Sequence, residues 1–427
     1  MNDKIKLIGF CCMAAFSAVA QHKNIEIGTL AKESKQSIPT VVINHKDAKI
    51  ITVKGAGNTF YLSNDAGTSW QSMTADVFEQ SEWMSVLSDA KGVLYAVCAL
   101  PRDNHYRVVS AQSKDNGKTW SAPVAISSSG TDQRYPTATF DAKETLHVTW
   151  AETITSSDGN CESVVMMSTS SSGTKWSKPF RISQLAGGCE DGNKLITGGV
   201  SAIGPDGKMF VAWSNADRIY MDRSFGSNLW LENDISVNAI KPGWKQNVPG
   251  YQFIASQPQL MVDQSKGHYR GCIYLTWADQ TSGEGDTDVW FLRSNNHGDN
   301  WSSPTKLGST NAQTEQYGPR MAIDQVSGFV YVLFYDRGEH EDGLTDVVLA
   351  YSSESGGSFK TVTISETPFM ADDKAGAGVY LDLVAYGGVI VPVWTRTADG
   401  KTSLWTTTIR QDELVKPVEQ PKAKKKK

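Results

Sequence analysis

The sequence is short of what a metalloprotein, a membrane protein or a nucleic-acid binder would need. Its seven histidines are scattered without metal-ligand spacing; His147 falls inside a strand-like stretch and His340 in an acidic loop, so neither proposes a ligand set or the partner of a nucleophile. Beyond the first twenty residues no apolar run is long enough to cross a bilayer. The formal charge of −5 leaves no basic face for nucleic acid, and the only concentrated positive charge is the run Lys422 to Lys427, which reads as a solvated tail. Helix-forming runs are scarce, whereas Trp (13), Gly (37), Ser and Thr are plentiful, a balance that points to an all-β protein.

The two ends differ from the rest. Lys4 and Lys6, the apolar stretch Leu7 to Ala20 and the small residues Ala18-Val19-Ala20 read as a cleaved export signal over residues 1–20, with the mature chain starting near Gln21 and bound for the periplasm or the exterior. Cys11 and Cys12 follow Phe10, which is too bulky for a lipoprotein signal. Residues 21–410 form the expected domain, and 411–427 a basic, disordered tail.

A repeat accounts for that length. Ser63 to Trp70 and Ser113 to Trp120 match as S-x-D-x-G-x-[ST]-W, the Asp-box, with Asp65, Gly67 and Trp70 in one copy and Asp115, Gly117 and Trp120 in the other. Weaker copies run from Thr169 to Trp176 with Ser171 in the Asp place, Ser294 to Trp301 with Asn296, and Ser352 to Phe359 with Glu354; a decayed one ends at Trp230. The closing aromatics are 50, 56, 54, 71 and 58 residues apart, a period that fits propeller blades. The Asp can accept from turn N–H groups, Gly supplies positive φ, and Trp folds back onto the hairpin, so the motif staples a turn.

Strand patterns recur around each box, as in 137–140, 146–150, 164–168 and 179–183. Seven third strands can be counted, and Asn24 to Gly28 would supply the missing outer strand of the last unit and close the ring. The expected fold is a single seven-bladed β-propeller, with six blades as the alternative because the first blade is short. The boxes then lie on one face, and the loops joining blades share the opposite face with the turns between second and third strands; functional residues belong there.

Aligning the aromatic that ends each second strand puts Glu152, Asp279 and Asp336 at equivalent positions, with Asn215 and Arg396 in the same ring. First-strand starts add Arg134 with Tyr135, and Tyr317 with Arg320, while the insertion Lys241 to Ser256 brings Trp244 and Tyr251 to the rim. Rings cover sugar faces and Arg forks onto carboxylates, so the set suits an acidic glycan; alternatively the acids and arginines, such as Asp336, Arg337 and Asp346, pin the loops to one another. Cys161 and Cys189 flank one blade and are expected to form a disulfide closing a 28-residue loop, contributing about 3 kcal/mol, with Cys98 and Cys272 as buried thiols. No cofactor is implied; the acidic loops Asp279 to Asp288 and Glu339 to Asp346 would suit a structural calcium ion, although neither has EF-hand spacing.

These boxes, together with Phe334-Tyr335-Asp336-Arg337, Trp277-Ala278-Asp279 and Val393-Trp394-Thr395-Arg396, resemble the secreted bacterial BNR/Asp-box proteins labelled exo-α-sialidases, over roughly residues 37–410. The resemblance implies a propeller, a glycan or glycoconjugate partner, and a site with an arginine triad, a Glu-assisted Tyr nucleophile and an Asp acid/base. Phe180-Arg181-Ile182-Ser183 looks like the family's Phe-Arg-Ile-Pro run but falls on an outer strand in mid-chain, so the catalytic Arg is not carried onto Arg181. Three functions follow. A glycoside hydrolase would draw substrate-binding groups from Arg134, Arg320, Arg337, Arg396 and Asp279, and catalytic groups from Tyr135, Tyr317, Glu152 and Asp336. A non-catalytic propeller would bind glycan or protein through the same face, and a polysaccharide lyase would pair a Tyr or His base with one Arg.

Overall fold

The structure, a computed structural model, describes residues 22–30, 40–127, 130–189, 194–225, 230, 233–251, 254–255, 257–311, 313–340, 343–370, 380–398 and 401–415. The expected export signal and Lys422 to Lys427 lie outside them. Seven antiparallel sheets follow one another round a ring, each with four consecutive radial strands except the last. Blade 1 uses Thr40–Ile43, Ile51–Lys54, Thr59–Ser63 and Gln71–Thr74; blade 2, Glu82–Ser88, Leu94–Arg102, His105–Ser113 and Val124–Ala125; blade 3, Asp132–Phe140, Leu146–Thr155, Cys161–Ser170 and Phe180–Arg181. Blade 4 uses Thr197–Ile203, Met209–Asn215, Arg218–Arg223 and Ile235–Ala239; blade 5, Gln259–Val262, Ile273–Gly283, Asp286–Ser294 and Thr305–Leu307; blade 6, Gln316–Ile323, Val330–Asp336, Leu344–Ser352 and Lys360–Thr363. Blade 7 takes Leu381–Tyr386, Val389–Ala398 and Lys401–Thr406 from the end of the chain, and Ile25–Leu30 pairs antiparallel with the last of these as its outer strand. Seven blades therefore stand, the N-terminal strand closing the ring, and blade 1 is complete although its strands are short.

Burial explains the strand patterns. Every residue of Val330–Asp336 is buried, because a second strand is covered by blades on both sides, whereas the outer strand Lys360–Thr363 is mostly exposed. Each junction between blades holds its own apolar cluster: Phe60 and Phe78 with Val86 between blades 1 and 2, Trp213 with Ile182 between 3 and 4, and Ile51 and Val53 with Val391 across the closure. Among the described residues the core is thus a ring of seven seams with no central one.

The boxes staple third to fourth strands as expected. In the first copy the Gly67 N–H donates to Ser63 Oγ at 2.8 Å, the Ser69 N–H to Asp65 Oδ1 at 2.9 Å, and the Trp70 indole N–H to Gly67 O at 3.1 Å. The second repeats this geometry around Asp115, and Asn296 accepts from the Asn300 N–H in the same way. In blade 3 the frame differs by one residue: Ser170, not Thr169, caps the Gly173 N–H at 2.8 Å, and Ser172, not Ser171, receives the Lys175 N–H at 3.2 Å. Matching on Trp176 alone hides this shorter turn. The boxes also join blades, since Asn44 of blade 1 donates to Asn116 Oδ1 at 2.7 Å.

Beyond residue 410 the described chain continues as a short helix, Gln411–Val415, where the tail is expected to begin. Ser327 and Tyr331 donate to the Gln411 side chain and Tyr351 to Leu414 O, tying this turn to blade 6. No helix among the described residues is long and apolar enough to cross a membrane.

Candidate functional site

On the face opposite the boxes, the first strands of blades 2, 3, 4 and 6 are kinked at corresponding points, where the register with the second strand slips between Glu82 and Ser85, Arg134 and Thr137, Thr197 and Val200, and Tyr317 and Arg320. A bulge adds a residue and re-aims its neighbours. In blade 6 the left-handed conformation falls on Gly318 (φ 68°), but in blades 2 and 3 it falls on Trp83 (φ 49°) and Tyr135 (φ 55°). Bulky side chains avoid this region, at a cost of about 1–3 kcal/mol each, so the surroundings must enforce it.

These two strained residues meet, with ring centroids 4.8 Å apart, and Tyr106 packs edge-on against Trp83 at 5.1 Å. The Arg134 guanidinium stands 5.9 Å from the Trp83 ring centroid and 5.5 Å from that of Tyr106, within cation–π range. Asp132 positions both partners: one oxygen accepts the Tyr106 N–H at 2.8 Å and the other the Arg134 Nε–H at 2.6 Å. The terminal nitrogens of Arg134 take no further protein hydrogen bond among the described residues, and its side chain is 35 % exposed.

At the bottom of this cluster the Tyr106 hydroxyl donates to Glu82 Oε1 at 2.7 Å. Burial and then the Glu82 carboxylate push the phenol up to about 12, with Arg134 opposing, so at neutral pH Tyr106 is a neutral hydroxyl donor to Glu82. Glu82 also helps burial raise the Tyr380 phenol of blade 7. A half-open shelf of two rings, a guanidinium with free donors and a hydroxyl–carboxylate pair can grip a ring-shaped polar ligand bearing an anionic group and move a proton at one of its oxygens.

Four of these residues, Glu82, Trp83, Tyr106 and Asp132, escape the sequence reading. Aligning the first strands would have placed Glu82-Trp83 opposite Arg134-Tyr135, but the contact from Tyr106 comes from a third strand and has no local signal.

The other expected residues have different fates. Glu152 is 5 % exposed and accepts from the Trp150 indole N–H at 2.8 Å and the Thr131 hydroxyl at 2.7 Å. Asp279 is fully buried, accepts from the Trp277 indole N–H at 3.0 Å, and is raised by burial. These acids cap tryptophans. Asp336, also raised by burial, accepts from the N–H groups of Gly338 and Ser309 and from Gln316. Tyr317 is fully buried, and Arg337, 4 % exposed, stacks on it at 5.3 Å while donating to Pro249 O and Glu315. The insertion 241–256 causes this: Val248 and Ile254 join the core between blades 6 and 7, and Tyr251 packs on Tyr317 at 5.6 Å. Trp244, expected at the rim, is instead 2 % exposed in the seam between blades 4 and 5.

The four arginines do not gather. Arg320 donates to Leu381 O and Pro319 O, with burial lowering its pKa and Asp382 opposing, and Arg396 stands on blade 7. Arg181 lies on an outer strand, donating to Ser183 O, Glu162 and Gln184 O. Cys161 and Cys189 form the expected disulfide, and Cys98 and Cys272 are buried thiols. On the outer side of blade 6, a polar cavity of ≈ 360 Å³ is lined by Ser309, Asn311, Asp336, Glu339 and Asp346 among others; His340 Nε2 lies 2.9 Å from Asp346. Among the described residues no three His, Cys, Asp or Glu side chains converge as a metal site would require.

No family model matches this sequence, and no curated protein is similar to it by sequence. Solved structures are similar in fold. A polysaccharide lyase of a new family, described as an ulvan lyase, superposes with a TM-score of 0.57 at 9 % identity, covering 91 % of this chain and 96 % of its own. A protein of unknown function from Dyadobacter fermentans DSM 18053 gives 0.51 at 13 % identity, covering 92 % and 98 %. NanB with Optactamide gives 0.51 at 9 %, also covering 92 % and 98 %. At these identities the likeness establishes the propeller alone.

Proposed function

We propose that this chain is an exported glycan-acting propeller whose working site is the shelf of blades 2 and 3, with Arg134 holding a carboxylate or sulfate of the sugar and the Tyr106–Glu82 pair exchanging a proton at the glycosidic or hydroxyl oxygen. The observation that carries this is the 2.7 Å hydrogen bond from Tyr106 to Glu82 beside a guanidinium whose terminal donors are unused. Trp83 and Tyr135 provide the ring surfaces sugars pack on, and the cost of holding both in left-handed conformations favours a functional reading of the bulges. Fold similarity to a polysaccharide lyase agrees with this class. The Cys161–Cys189 disulfide agrees with an oxidising compartment.

One feature favours a lectin-like second reading over a sialidase. Arg320 and Arg337 are engaged by the scaffold, so neither joins Arg134 in an arginine triad. The test is turnover of a fluorogenic sialoside and of uronate polysaccharides, the latter followed by ultraviolet absorbance of unsaturated ends, with Tyr106→Phe alongside the parent. Turnover that Tyr106→Phe abolishes while binding persists supports the catalytic reading. Saturable binding lost in Arg134→Ala, with no product from any substrate, moves the conclusion to a binding module.

A further inference from the structure

Arg396 stands near the end of the second strand of blade 7, two residues beyond Trp394, at the position where blades 3 and 5 carry Glu152 and Asp279. There the acid caps an indole N–H. Blade 7 has a cation instead, and ring faces hold it: the guanidinium carbon lies 5.8 Å from the Phe369 ring centroid and 5.5 Å from that of Trp405. Phe369 is 5 % exposed, and the Trp405 indole is fixed by its N–H donating to Ser403 Oγ at 2.7 Å. Arg396 and Trp405 are half-buried, so the guanidinium is partly removed from water. Yet among the described residues no carboxylate, carbonyl or hydroxyl takes any of its five N–H donors, whereas Arg337, Arg181 and Arg223 each have two or more protein acceptors. Two rings that flank a guanidinium while leaving its N–H donors without a protein acceptor among the described residues make a receptor for a forked oxyanion.

We infer that Arg396 is a second oxyanion-binding position on the loop face, and that the ligand is a glycan chain with repeated carboxylate or sulfate groups, one on Arg134 of blade 3 and another on Arg396 of blade 7. This rests on the glycan reading given above and narrows it from a single acidic sugar to a charged polymer. The two positions stand on different blades, 3 and 7, and the gain from joining them comes only to a chain that reaches both. The shared chemistry is an oxyanion; polymer type separates carboxylate from sulfate.

Calorimetric titration of the full chain with galacturonate, oligogalacturonate, dextran sulfate and uncharged dextran tests this. At least one charged polymer binds, more tightly than galacturonate, and dextran does not. Arg396→Ala weakens polymer binding about tenfold, as loss of a charged hydrogen-bond pair does, leaves the melting temperature unchanged, and is poorly restored by Arg396→Lys because an ammonium lacks the fork. Parent-like polymer affinity in Arg396→Ala, with loss in Arg134→Ala, overturns the second position and leaves the glycan reading standing. Binding of no polymer, or equal binding of dextran, overturns both.

Discussion

Blades 2–3 and blades 5–6 carry the same ingredients on the same face: a bulged first strand, a tyrosine beside the bulge, an arginine over an aromatic ring and a carboxylate nearby. What separates them is cover. In blade 6 Val248, Pro249, Tyr251 and Ile254 of the insertion pack on the group, so Tyr317, Arg337 and Asp336 are buried and their polar atoms are engaged by Thr345, Pro249, Glu315, Gly338 and Ser309. In blades 2–3 Glu82, Trp83, Tyr106, Arg134 and Tyr135 are half-buried, and among the described residues the terminal nitrogens of Arg134 have no protein acceptor. An aromatic–arginine–acid set is therefore a neutral ingredient, and the loop above it decides whether it becomes scaffold or site.

The largest effect that could break this contrast is on stability. Arg337→Met leaves Glu315 and Pro249 O without their donor in a closed pocket and should cost about 3 kcal/mol, as breaking a buried pair does; Arg134→Ala should leave chemical denaturation within about 0.5 kcal/mol of the parent, as exposed pairs do. Equal costs would erase the distinction. Next, Tyr106→Phe should lower turnover about a hundredfold with an unchanged melting curve, since it removes a positioned proton donor and no packing; Tyr317→Phe, measured the same way, should leave turnover intact.

Two pH experiments sharpen the picture with smaller effects. Lys54, fully buried at the end of the second strand of blade 1, is pulled down to about 8 by burial. The unfolded chain thus holds that proton up to its ordinary value of 10.5, and stability contributed by this group rises with pH from about 8 to 10.5. Lys54→Met should raise the melting temperature at pH 7 and flatten that rise. On the opposite face Asp65 is drawn down to about 2 by hydrogen bonds from Ser69 and Ser63. Its contribution is present above the ordinary value of 3.8 and fades as pH falls from there towards 2, so Asp65→Asn should show a shallower acid transition in circular dichroism.

The fold was legible because its signals are local and repeated. Ser, Asp, Gly and Trp within eight residues make one turn, and that turn recurs with each period; even Ile25–Leu30 could be matched to the blade lacking an outer strand. The site was legible only in part. Arg134 and Tyr135 emerged because they begin a first strand, but Glu82 gains meaning only from Tyr106, 24 residues away, and Trp83 only from its left-handed φ. Tyr317 and Arg337 looked equivalent to the open pair because burial beneath an insertion arising between blades 4 and 5 leaves no trace in their own neighbourhood. The acids Glu152 and Asp279 were correctly aligned, yet alignment could not reveal that the tryptophan two residues before each takes up the carboxylate.

The strand that completes blade 7 has a consequence for biogenesis. Ile25 pairs with Thr406, roughly 380 residues away, and bringing two such distant points together costs about 5 kcal/mol in chain entropy. That clasp is the contact least able to form early, so every blade can be shaped while the molecule is still an open arc with the free edge of Lys401–Thr406 exposed. Until it shuts, the edge accepts any copy of Ile25–Leu30, including one from a neighbouring chain, and a high local concentration of chains would favour dimers that exchange this strand.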